Sequence, residues 1–404
     1  MNNATYSTCP PDETPTWKIQ ANKITLNQET GRGETRGTKL YVKDVPVLAV
    51  PYFNFPIDDR RTTGILSPSF GFTNDGGIEL AVPVYLNLAP NYDATVTPRY
   101  IADRGPMLEG EFRYLTENFG SGMIWGGYLA SDEKYDDQDR KDLHLLHNWQ
   151  INEQFSTNLD YNYASDKDYF TDLNNNPNSK TDLNLRRAWE LNYKNGIPGL
   201  KAQLKVENFQ TLDKTVSDED RPYARLPQFL LNYKTGNPLG LQYEFNHDTA
   251  YFKKDISDAS NGTSTTTFEP SGTRIYNDFA VRYNYRNPWS FVIPEVSIRN
   301  INTFYDQDTI NSNQNTNSSD EKQSVTVPQF TLDTGLTFEK DGKYLQTLTP
   351  RAFYAYAPYR NQTGHPNFDS ATASINYDQL FSARRFYGHD RLEDNNFLTL
   401  GLSY

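Results

Sequence analysis

The densest charge cluster of the sequence is Asp58-Asp59-Arg60-Arg61, in which two carboxylates stand side by side. Paired carboxylates can carry out general acid–base catalysis when both face one substrate. Side chains of adjacent residues on an extended chain point to opposite sides, so these two carboxylates diverge. The cluster therefore favours a salt-bridged hinge between two regions of the chain over a catalytic pair.

Other residues that could do chemistry lack the spacing that the chemistry needs. His144 and His147 are three positions apart on a predicted strand, so they face opposite sides and do not form a metal pair. The acidic run 132–139 lacks the glycine and the distal glutamate of a calcium loop and is interpreted as a solvated loop. The glycines of 31–37 miss the dinucleotide-binding spacing. With no HExxH, GxSxG, P-loop or CxxC motif either, the sequence predicts no enzyme, no metal and no cofactor.

The composition combines high polarity with many aromatic residues: 36% of the 404 residues are hydrophobic and 14% are aromatic. A disordered chain would be equally polar but would lack the aromatic residues. A β-sheet with one apolar and one wet face has both properties. The formal net charge of −12 argues against nucleic acid as a partner, because phosphate binding requires a basic surface.

The sequence contains no run of about 18 apolar residues, so it predicts no transmembrane helix. A transmembrane β-barrel is compatible with this pattern, because its strands place an apolar residue only at every second position. The N-terminal residues lack the basic end and the apolar core of a signal peptide. If the protein is exported, we therefore expect its true N-terminus to be missing from this chain.

The single cysteine, Cys9, has two interpretations that the residues alone leave open. It is either a free thiol near a frayed end or one half of a disulfide whose partner lies outside this chain.

The elements that must position these residues are all predicted strands. Residues 16–50 contain short strands that look like the end of a β-sandwich or jelly roll. From Gly64 onward, apolar and polar residues alternate; in one segment Phe155, Leu159 and Tyr161 share a face. The predicted strands are 64–72, 78–87, 92–102, 107–116, 121–131, 141–151, 155–164, 181–193, 199–210, 227–235, 239–252, 273–286, 295–307, 324–340, 345–357 and 395–404.

Short and long connections mostly alternate along this series, as they do in outer-membrane barrels. If 64–72 is the first strand, the longest connection, about 357–395, becomes the eighth extracellular loop. The predicted fold class is all-β. The residues alone predict the end of a β-sandwich or jelly roll in 1–60 and about sixteen antiparallel strands of a transmembrane β-barrel in 61–404.

Three prolines, Pro68, Pro83 and Pro98, stand at equal spacing inside the first predicted strands of this series. Proline cannot donate a hydrogen bond to a sheet ladder, so it is confined to edges, strand starts and bulges. The three prolines therefore predict that one end of the sheet is weakly paired.

Several long motifs carry a resemblance to a known family. They are PVLAVPYFNFPIDDRRTTGILSPSFG, PVYLNLAPNYDATVTPRYIADRG and EFRYL, then PRAFYAYAPYRNQ, FDSA and NYDQLFSARRFYGHDRLEDNNFLTLGL, with TCPPDETPTW near the start. In these motifs the chain resembles the LptD family, the outer-membrane lipopolysaccharide translocons also called organic solvent tolerance proteins. The chain differs from the family in its extent, because members have an N-terminal signal, a complete jelly roll and a larger barrel. The resemblance therefore implies that residues 1–60 are the C-terminal part of a periplasmic jelly roll and that residues 61–404 are about sixteen antiparallel strands of an incomplete, truncated transmembrane β-barrel.

The resemblance implies transport of lipopolysaccharide and its insertion into the outer leaflet of the Gram-negative outer membrane. In the family, acyl chains lie in the jelly-roll groove, the saccharide passes through the barrel lumen, and the lipid leaves through a lateral gate. The implied partners are lipopolysaccharide, outer-membrane lipids, the lipoprotein LptE as barrel plug and the periplasmic bridge protein LptA. The N-terminal region would lie in the periplasm.

The same resemblance assigns roles to individual residues. The gate prolines of the family match Pro83 and Pro98, whereas Pro68 shares only the physical argument. Cys9 matches a cysteine that would pair with a C-terminal cysteine outside this chain. The groove candidates share an apolar character and are equally well explained as ordinary sandwich core: Trp17, Ile19, Leu40, Val42 and Val47.

Two other classes of protein are alternatives to this family. A general outer-membrane porin or ligand-gated transporter has no periplasmic strand domain before its first strand, so residues 16–60 argue against it. A soluble β-structured carbohydrate-active enzyme would need two facing carboxylates in a cleft. The polar residues expected to face the lumen are Glu109, Glu111, Arg113, Asp160 and Asn162.

Overall fold

The computed structural model describes residues 2–7, 15–73, 75–173, 184–217, 220–254, 270–306, 322–342 and 344–404. Most of these residues are in antiparallel β-strands and very few are in helices, which confirms the predicted all-β class. Within the described ranges, no helix is long and apolar enough to cross a membrane. The chain divides into two units, Met1–Leu115 with Met123–Lys141 and Thr116–Gly122 with Asp142–Tyr404.

The first unit contains two groups of strands. A four-stranded sheet takes its strands in chain order: β1 (Asn2–Tyr6), β2 (Trp17–Asn27), β3 (Arg32–Val42) and β4 (Val45–Pro56). The strands that follow are β5 (Gly64–Ile65), β6 (Ser69–Thr73), β7 (Gly77–Ala81), β8 (Val84–Ala89), β9 (Tyr92–Ile101), β10 (Gly105–Thr116) and β11 (Gly120–Asp132).

Alternation along β2 explains how the four-stranded sheet buries one face. Trp17, Ile19 and Ala21 share that face, where Ile19 and Ala21 are buried. The ring of Tyr6 on β1 lies 6.2 Å from Trp17 and 4.9 Å from Phe55 on β4. Aromatic packing of this kind adds about 0.5–1.5 kcal/mol per pair beyond area burial. The apolar face therefore has its own small core.

The first two predicted strands of the long series are each interrupted at a proline. Pro68 lies between β5 and β6, and Pro83 lies between β7 and β8. As a result β8 pairs with β5, whereas β7 pairs with β6. Pro98 stays inside β9, opposite Leu108 of β10, and its carbonyl accepts a hydrogen bond of 3.0 Å from the Val82 N–H. The prolines thus divide the pairing without ending the sheet.

The second unit contains the remaining strands, including β12 (Gln138–Gln150) from Asp142 onward. They are β13 (Phe155–Ala164), β14 (Asn184–Tyr193), β15 (Leu200–Thr211), β16 (Ala224–Gly236), β17 (Leu241–Lys253), β18 (Gly272–Tyr283), β19 (Tyr285–Asn287), β20 (Ser290–Tyr305), β21 (Lys322–Leu336), β22 (Phe338–Lys340), β23 (Gln346–Ala357), β24 (Ala371–Thr372), β25 (Phe386–Tyr387) and β26 (Asn395–Ser403). One short helix, α1 (Tyr169–Leu173), follows β13. Each long strand pairs with the next in sequence, and β23 pairs with β26.

The register of this sheet separates a polar face from an apolar one. Asp278 lies opposite Arg299, so both side chains are on the same face, while the alternate pair Phe279 and Ile298 lies on the other. The second face is apolar yet exposed: Leu400 of β26 is 73% accessible. A sheet that exposes its apolar side and shields its polar side inverts the usual arrangement of a water-soluble protein.

The connection between β23 and β26, residues 358–394, packs against the polar face; we call it the long connection. Three of its apolar side chains, Phe368, Phe381 and Leu392, each enter a different small buried cluster with strand residues. A 3-10 turn at Asp378–Phe381 and the short pair β24–β25 are its regular elements. It begins and ends where the predicted eighth loop does.

Candidate functional site

The polar face of the second unit carries one arginine in contact with three carboxylates. Arg274 on β18 is fully buried. Its Nη2 lies 3.1 Å from Asp248 on β17, and its Nη1 lies 2.5 Å from Asp369 and 2.6 Å from Asp390. The last two belong to the long connection, so this cluster joins the connection to the sheet. A buried charge without its partner costs several kcal/mol, so each member of the cluster depends on the others.

Asp369 and Asp390 have opposite pKa shifts within this cluster. Burial by itself raises the pKa of Asp369, but the guanidinium groups of Arg274 and Arg225 outweigh it and hold the pKa below its usual value. For Asp390, burial raises the pKa and the neighbouring Asp369 carboxylate adds to the rise, despite Arg274. Asp390 is therefore the carboxyl of this pair that takes up a proton first as the pH falls.

Further ion pairs fix the rest of the long connection. Glu393 pairs with Arg299 of β20, which also bonds Gln329 of β21. Arg384 Nη2 lies 3.0 Å from a carboxylate oxygen of Asp278 on β18. The connection is thus attached to the sheet by charge at three separate points.

Two stacked ring pairs accompany the ion pairs. Phe368 lies parallel to Phe252 of β17, with 4.5 Å between the ring centres. His389 stacks on Tyr276 at 4.1 Å, and its Nδ1 lies 2.9 Å from Asp248. Buried rings of this size contribute a large hydrophobic area together with a defined geometry.

His365 is the buried titratable group at the start of the long connection. Its Nδ1 lies 3.4 Å from the hydroxyl of Thr303 on β20. Burial lowers the pKa of His365 to about 4, and the positive charge of Arg391 acts in the same direction. The imidazole is therefore neutral at physiological pH.

Among the residues that the structure describes, Arg384 lines two cavities on the polar face. The first has a volume of about 630 Å³ and is walled by residues of β13–β18 with Arg384 and His389 from the long connection. The second, of about 390 Å³, lies against β17–β23 and includes Arg282, Glu295 and Asp333. Charged and amide residues are the most numerous in both linings, and apolar side chains such as Leu230 and Phe353 line them as well. This mixture suits a sugar, which has both hydroxyl groups and apolar C–H faces.

The two arginines of the predicted hinge bond to different groups of strands in the structure. Arg60 donates from two nitrogens to one carboxylate oxygen of Asp58 and also donates to the carbonyls of Gln28 and Glu29 in the β2–β3 turn. Gly31 makes room for this pair, because a Cβ there would lie 2.6 Å from both side chains. The Arg60 side chain hydrogen bond holds the pKa of Asp58 below its usual value.

Arg61 instead reaches the β8–β9 turn. It pairs with Asp93, donates to the Tyr85 hydroxyl at 2.9 Å and to the Pro90 carbonyl at 3.2 Å. Within the described ranges, Asp59 belongs to neither arrangement. The two arginines thus bond to the β2–β3 turn and to the β8–β9 turn, and the hinge role of the cluster stays a prediction.

The polar residues expected to face the lumen bond to neighbouring polar side chains, through ion pairs or hydrogen bonds. In the first unit, Arg99 joins Glu79 at 2.7 Å and Glu109 at 3.1 Å, and Arg113 lies 2.8 Å from Asp93 and 3.2 Å from Glu111. In the second unit the Asn162 amide donates to Asp160 at 2.7 Å. The last two side chains belong to the polar face defined above.

The groove candidates differ in exposure. Ile19 is buried, Trp17 and Leu40 are half-buried, and Val42 and Val47 are exposed. Trp17 lies opposite Val42 and Ile19 opposite Leu40, which places these four on one face. Cys9 lies outside the described residues.

The residues that the sequence excluded as metal ligands do not lie together in the structure. His144 lies 2.6 Å from the Asn162 side chain on the polar face, and alternation puts His147 on the other. Asp132, in the acidic run, is fully buried between Arg104 and Arg140, so the interpretation as a solvated loop is wrong at its first residue. Among the residues that the structure describes, no three His, Cys, Asp or Glu side chains are placed to bind a metal.

Sequence reasoning missed the Arg274 cluster. Its one local signal is the charged run Arg384–Asp394 following apolar Phe368 and Phe381. A connection that mixes large apolar residues with many charges is unusual for a solvated loop, and this mixture marks a segment that packs.

Comparison with known proteins places these features in context. The family model described as LPS transport system D matches residues 138–404. The chain is 76% identical over its whole length to the LPS-assembly protein LptD of Acinetobacter baumannii, of which it covers 48%. It is 74% identical to the protein of the same name from Acinetobacter baylyi, covering 49%, and 34% identical to that of Hahella chejuensis, covering 50%. The chain thus spans about half the length of the curated relatives it matches.

Proposed function

Because the chain belongs to the family described as LPS transport system D, we propose that it transports lipopolysaccharide to the outer leaflet of the outer membrane. The relatives are named for lipopolysaccharide assembly, and none of the reported names describes a catalytic activity. The single structural observation that carries the proposal is the separation of faces in the second unit. A wall with one wet and one apolar side suits a molecule with a hydrated saccharide and a lipid end.

The exposed apolar face is the side that we assign to membrane lipid. Leu398, Leu400 and Leu402 line up on β26, and Val296 and Ile298 repeat the pattern on β20. Burying an apolar surface in lipid yields roughly 25 cal/mol per Å², so a row of such residues gives a strong preference for the membrane. The polar face is then the side along which the saccharide passes.

The four-stranded sheet is the part that we assign to the acyl chains and to the periplasm. Ile19 lies in its core, with Trp17 and Leu40 partly accessible beside it, as in a groove that continues a core. Val42 and Val47 extend the apolar surface outward. In this assignment residues 1–60 end a jelly-roll domain and 61–404 belong to the barrel.

The region of Pro68, Pro83 and Pro98 is assigned to the lateral gate. Each proline removes one ladder donor, worth about 0.5–1.5 kcal/mol, and two of them already divide strands. Small losses of this size suit a seam that must open reversibly. The hinge Asp58-Asp59-Arg60-Arg61 lies just before this region and ties it to the four-stranded sheet.

The proposed partners follow from the family. LptA would deliver lipopolysaccharide to the four-stranded sheet, and LptE would occupy the interior of the barrel. Cys9 would form a disulfide with a cysteine outside this chain.

Site-specific crosslinking in growing cells tests the transport proposal. A photo-reactive residue at Asn246, on the polar face, should crosslink to lipopolysaccharide only while new lipopolysaccharide is being supplied. The same residue at Val296, on the apolar face, serves as the matched position and should show no dependence on supply. A folded protein without any crosslink at Asn246 would remove the proposal, and high conductance in planar bilayers without crosslinks would favour a porin.

A further inference from the structure

The larger cavity on the polar face has walls made of paired amides. Gln203 donates to Asn192 at 2.8 Å, and Asn232 donates to Asn246 at 2.6 Å. Each side-chain amide has two donors and an acceptor with two lone pairs, so every member of these pairs keeps capacity for further hydrogen bonds. Alternating donors and acceptors at fixed positions are the groups that recognise sugar hydroxyls.

Charged side chains of both signs line the same cavity, but the positive ones have fewer ion-pair partners. Its two carboxylates are already engaged: Glu244 lies 3.3 Å from Lys234, and Asp248 lies 3.1 Å from Arg274. Lys194 and Lys201 also line the cavity, and within the described ranges neither has a carboxylate partner. The excess charge facing the cavity is therefore positive, although the chain as a whole is acidic.

Arg384 supplies a third cation on the side closed by the long connection. One of its nitrogens bonds Asp278, yet its side chain remains 57% exposed. A guanidinium carries five donors in a rigid fork, so one ion pair leaves several directed at the cavity side. Tyr276, which stacks on His389, adds a ring surface to the lining.

We propose that this cavity is a binding site for an anionic saccharide, with Lys194, Lys201 and Arg384 contacting its phosphate or carboxylate groups and the paired amides contacting its hydroxyls. A volume of about 630 Å³ falls within the range of small-molecule sites, about 300–1,000 Å³, and admits a short oligosaccharide. The inference rests on the proposed function, because it names the part of lipopolysaccharide that the polar face holds. It also accounts for how an acidic protein accepts an anionic substrate.

Binding of a soluble sugar to the purified protein in detergent tests this site. The probes are a phosphorylated oligosaccharide released from lipopolysaccharide by deacylation, the same oligosaccharide after phosphatase treatment, and inorganic phosphate alone. We expect the phosphorylated probe to bind at least about tenfold more tightly than the dephosphorylated one. Inorganic phosphate should compete weakly, since it lacks the hydroxyl contacts. Competition by phosphate as strong as by the oligosaccharide would assign the site to free phosphate and overturn the saccharide part.

Variants separate the site from general charge effects. Lys194→Gln combined with Lys201→Gln, and separately Arg384→Gln, should each remove most of the preference for the phosphorylated probe. Lys340→Gln, an exposed lysine on β22 outside the cavity, is the matched control and should leave the preference unchanged. Equal binding of both oligosaccharides by the unaltered protein, or an equal loss in all three variants, would overturn the inference.

The two proposals fail in different ways. Supply-dependent crosslinking at Asn246 that persists in the Lys194→Gln, Lys201→Gln protein, together with equal binding of the phosphorylated and dephosphorylated probes, would keep transport and exclude recognition of anionic groups by this cavity. If lipopolysaccharide does not crosslink at position 246 in the protein that keeps both lysines, the transport proposal itself is removed, whatever the binding of the soluble probes.

Discussion

Arg274 and Asp390 lie 2.6 Å apart although 116 positions separate them in the sequence. The first belongs to β18 and the second to the long connection, and both are buried. This pair therefore joins a segment with little regular structure to the most regular part of the second unit.

Replacing Arg274 with glutamine should release the long connection. Three carboxylates would lose their shared cation, at a cost of roughly 3–5 kcal/mol for a broken buried pair. Limited proteolysis in detergent should then cut within 358–394, where we expect the unaltered protein to be resistant because the connection is packed against the sheet. Arg360→Gln, an exposed arginine of the same connection, should leave the pattern unchanged. Adding Asp390→Asn should restore part of the resistance, and a double variant as sensitive as the single one would contradict the cluster's role.

Phe368→Ala tests the apolar anchor independently of charge. The ring lies parallel to Phe252 and is buried, so its removal should cost roughly 3–5 kcal/mol. We expect faster amide hydrogen exchange throughout the long connection with little change in β12–β16. Tyr359→Ala, which truncates an exposed ring, is the control. Exchange that rises equally in both variants would show that Phe368 is no anchor.

The pKa of His365 predicts a pH dependence of the same segment. Its pKa is about 4 in the folded protein and about 6.5 in an unfolded chain, so only the unfolded state takes up the proton between these values. Stability is unaffected above pH 6.5 and falls by up to about 1.4 kcal/mol per pH unit below it. Nuclear magnetic resonance of labelled histidine should give the low pKa directly, and His365→Gln should flatten the stability profile between pH 6.5 and 4. A titration near pH 6.5 would contradict the burial argument.

Pro83→Ala together with Pro98→Ala tests the proposed gate. Restoring two ladder donors should strengthen the pairing of β7–β9 and slow the appearance of new lipopolysaccharide at the cell surface, in a protein that folds normally. Pro294→Ala is the matched control, since Pro294 lies within a paired strand of the second unit, opposite Leu332. Unchanged delivery in the double variant would exclude the gate role.

Strand positions could be predicted well because alternation is a local property. β13 was predicted at 155–164 and observed at Phe155–Ala164. The ends of the long connection were predicted equally closely, since alternation stops at Ala357 and resumes at Asn395. The prolines indicated weak pairing at one end of the sheet, although the sequence alone did not show that Pro68 and Pro83 would each divide a predicted strand in two.

The interior of the site could not be predicted in the same way. Whether Arg274 meets Asp248 depends on the pairing register of β17 and β18, and a slip of one residue would turn every side chain to the other face. Its contact with Asp390 depends further on how the long connection folds back. The charged residues Asp58–Arg61 could be singled out because they are adjacent in the sequence, whereas the buried cluster assembles from residues that only the finished sheet brings together.

The three buried apolar side chains of the long connection also set an order of assembly. Phe368, Phe381 and Leu392 have no partners until β17–β23 are paired, and residue 390 is synthesised after all of those strands. Closure over so long a stretch of chain is a late event in folding. The Arg274 cluster therefore becomes complete only in a correctly registered sheet, and resistance of the long connection to protease is a readout of finished assembly.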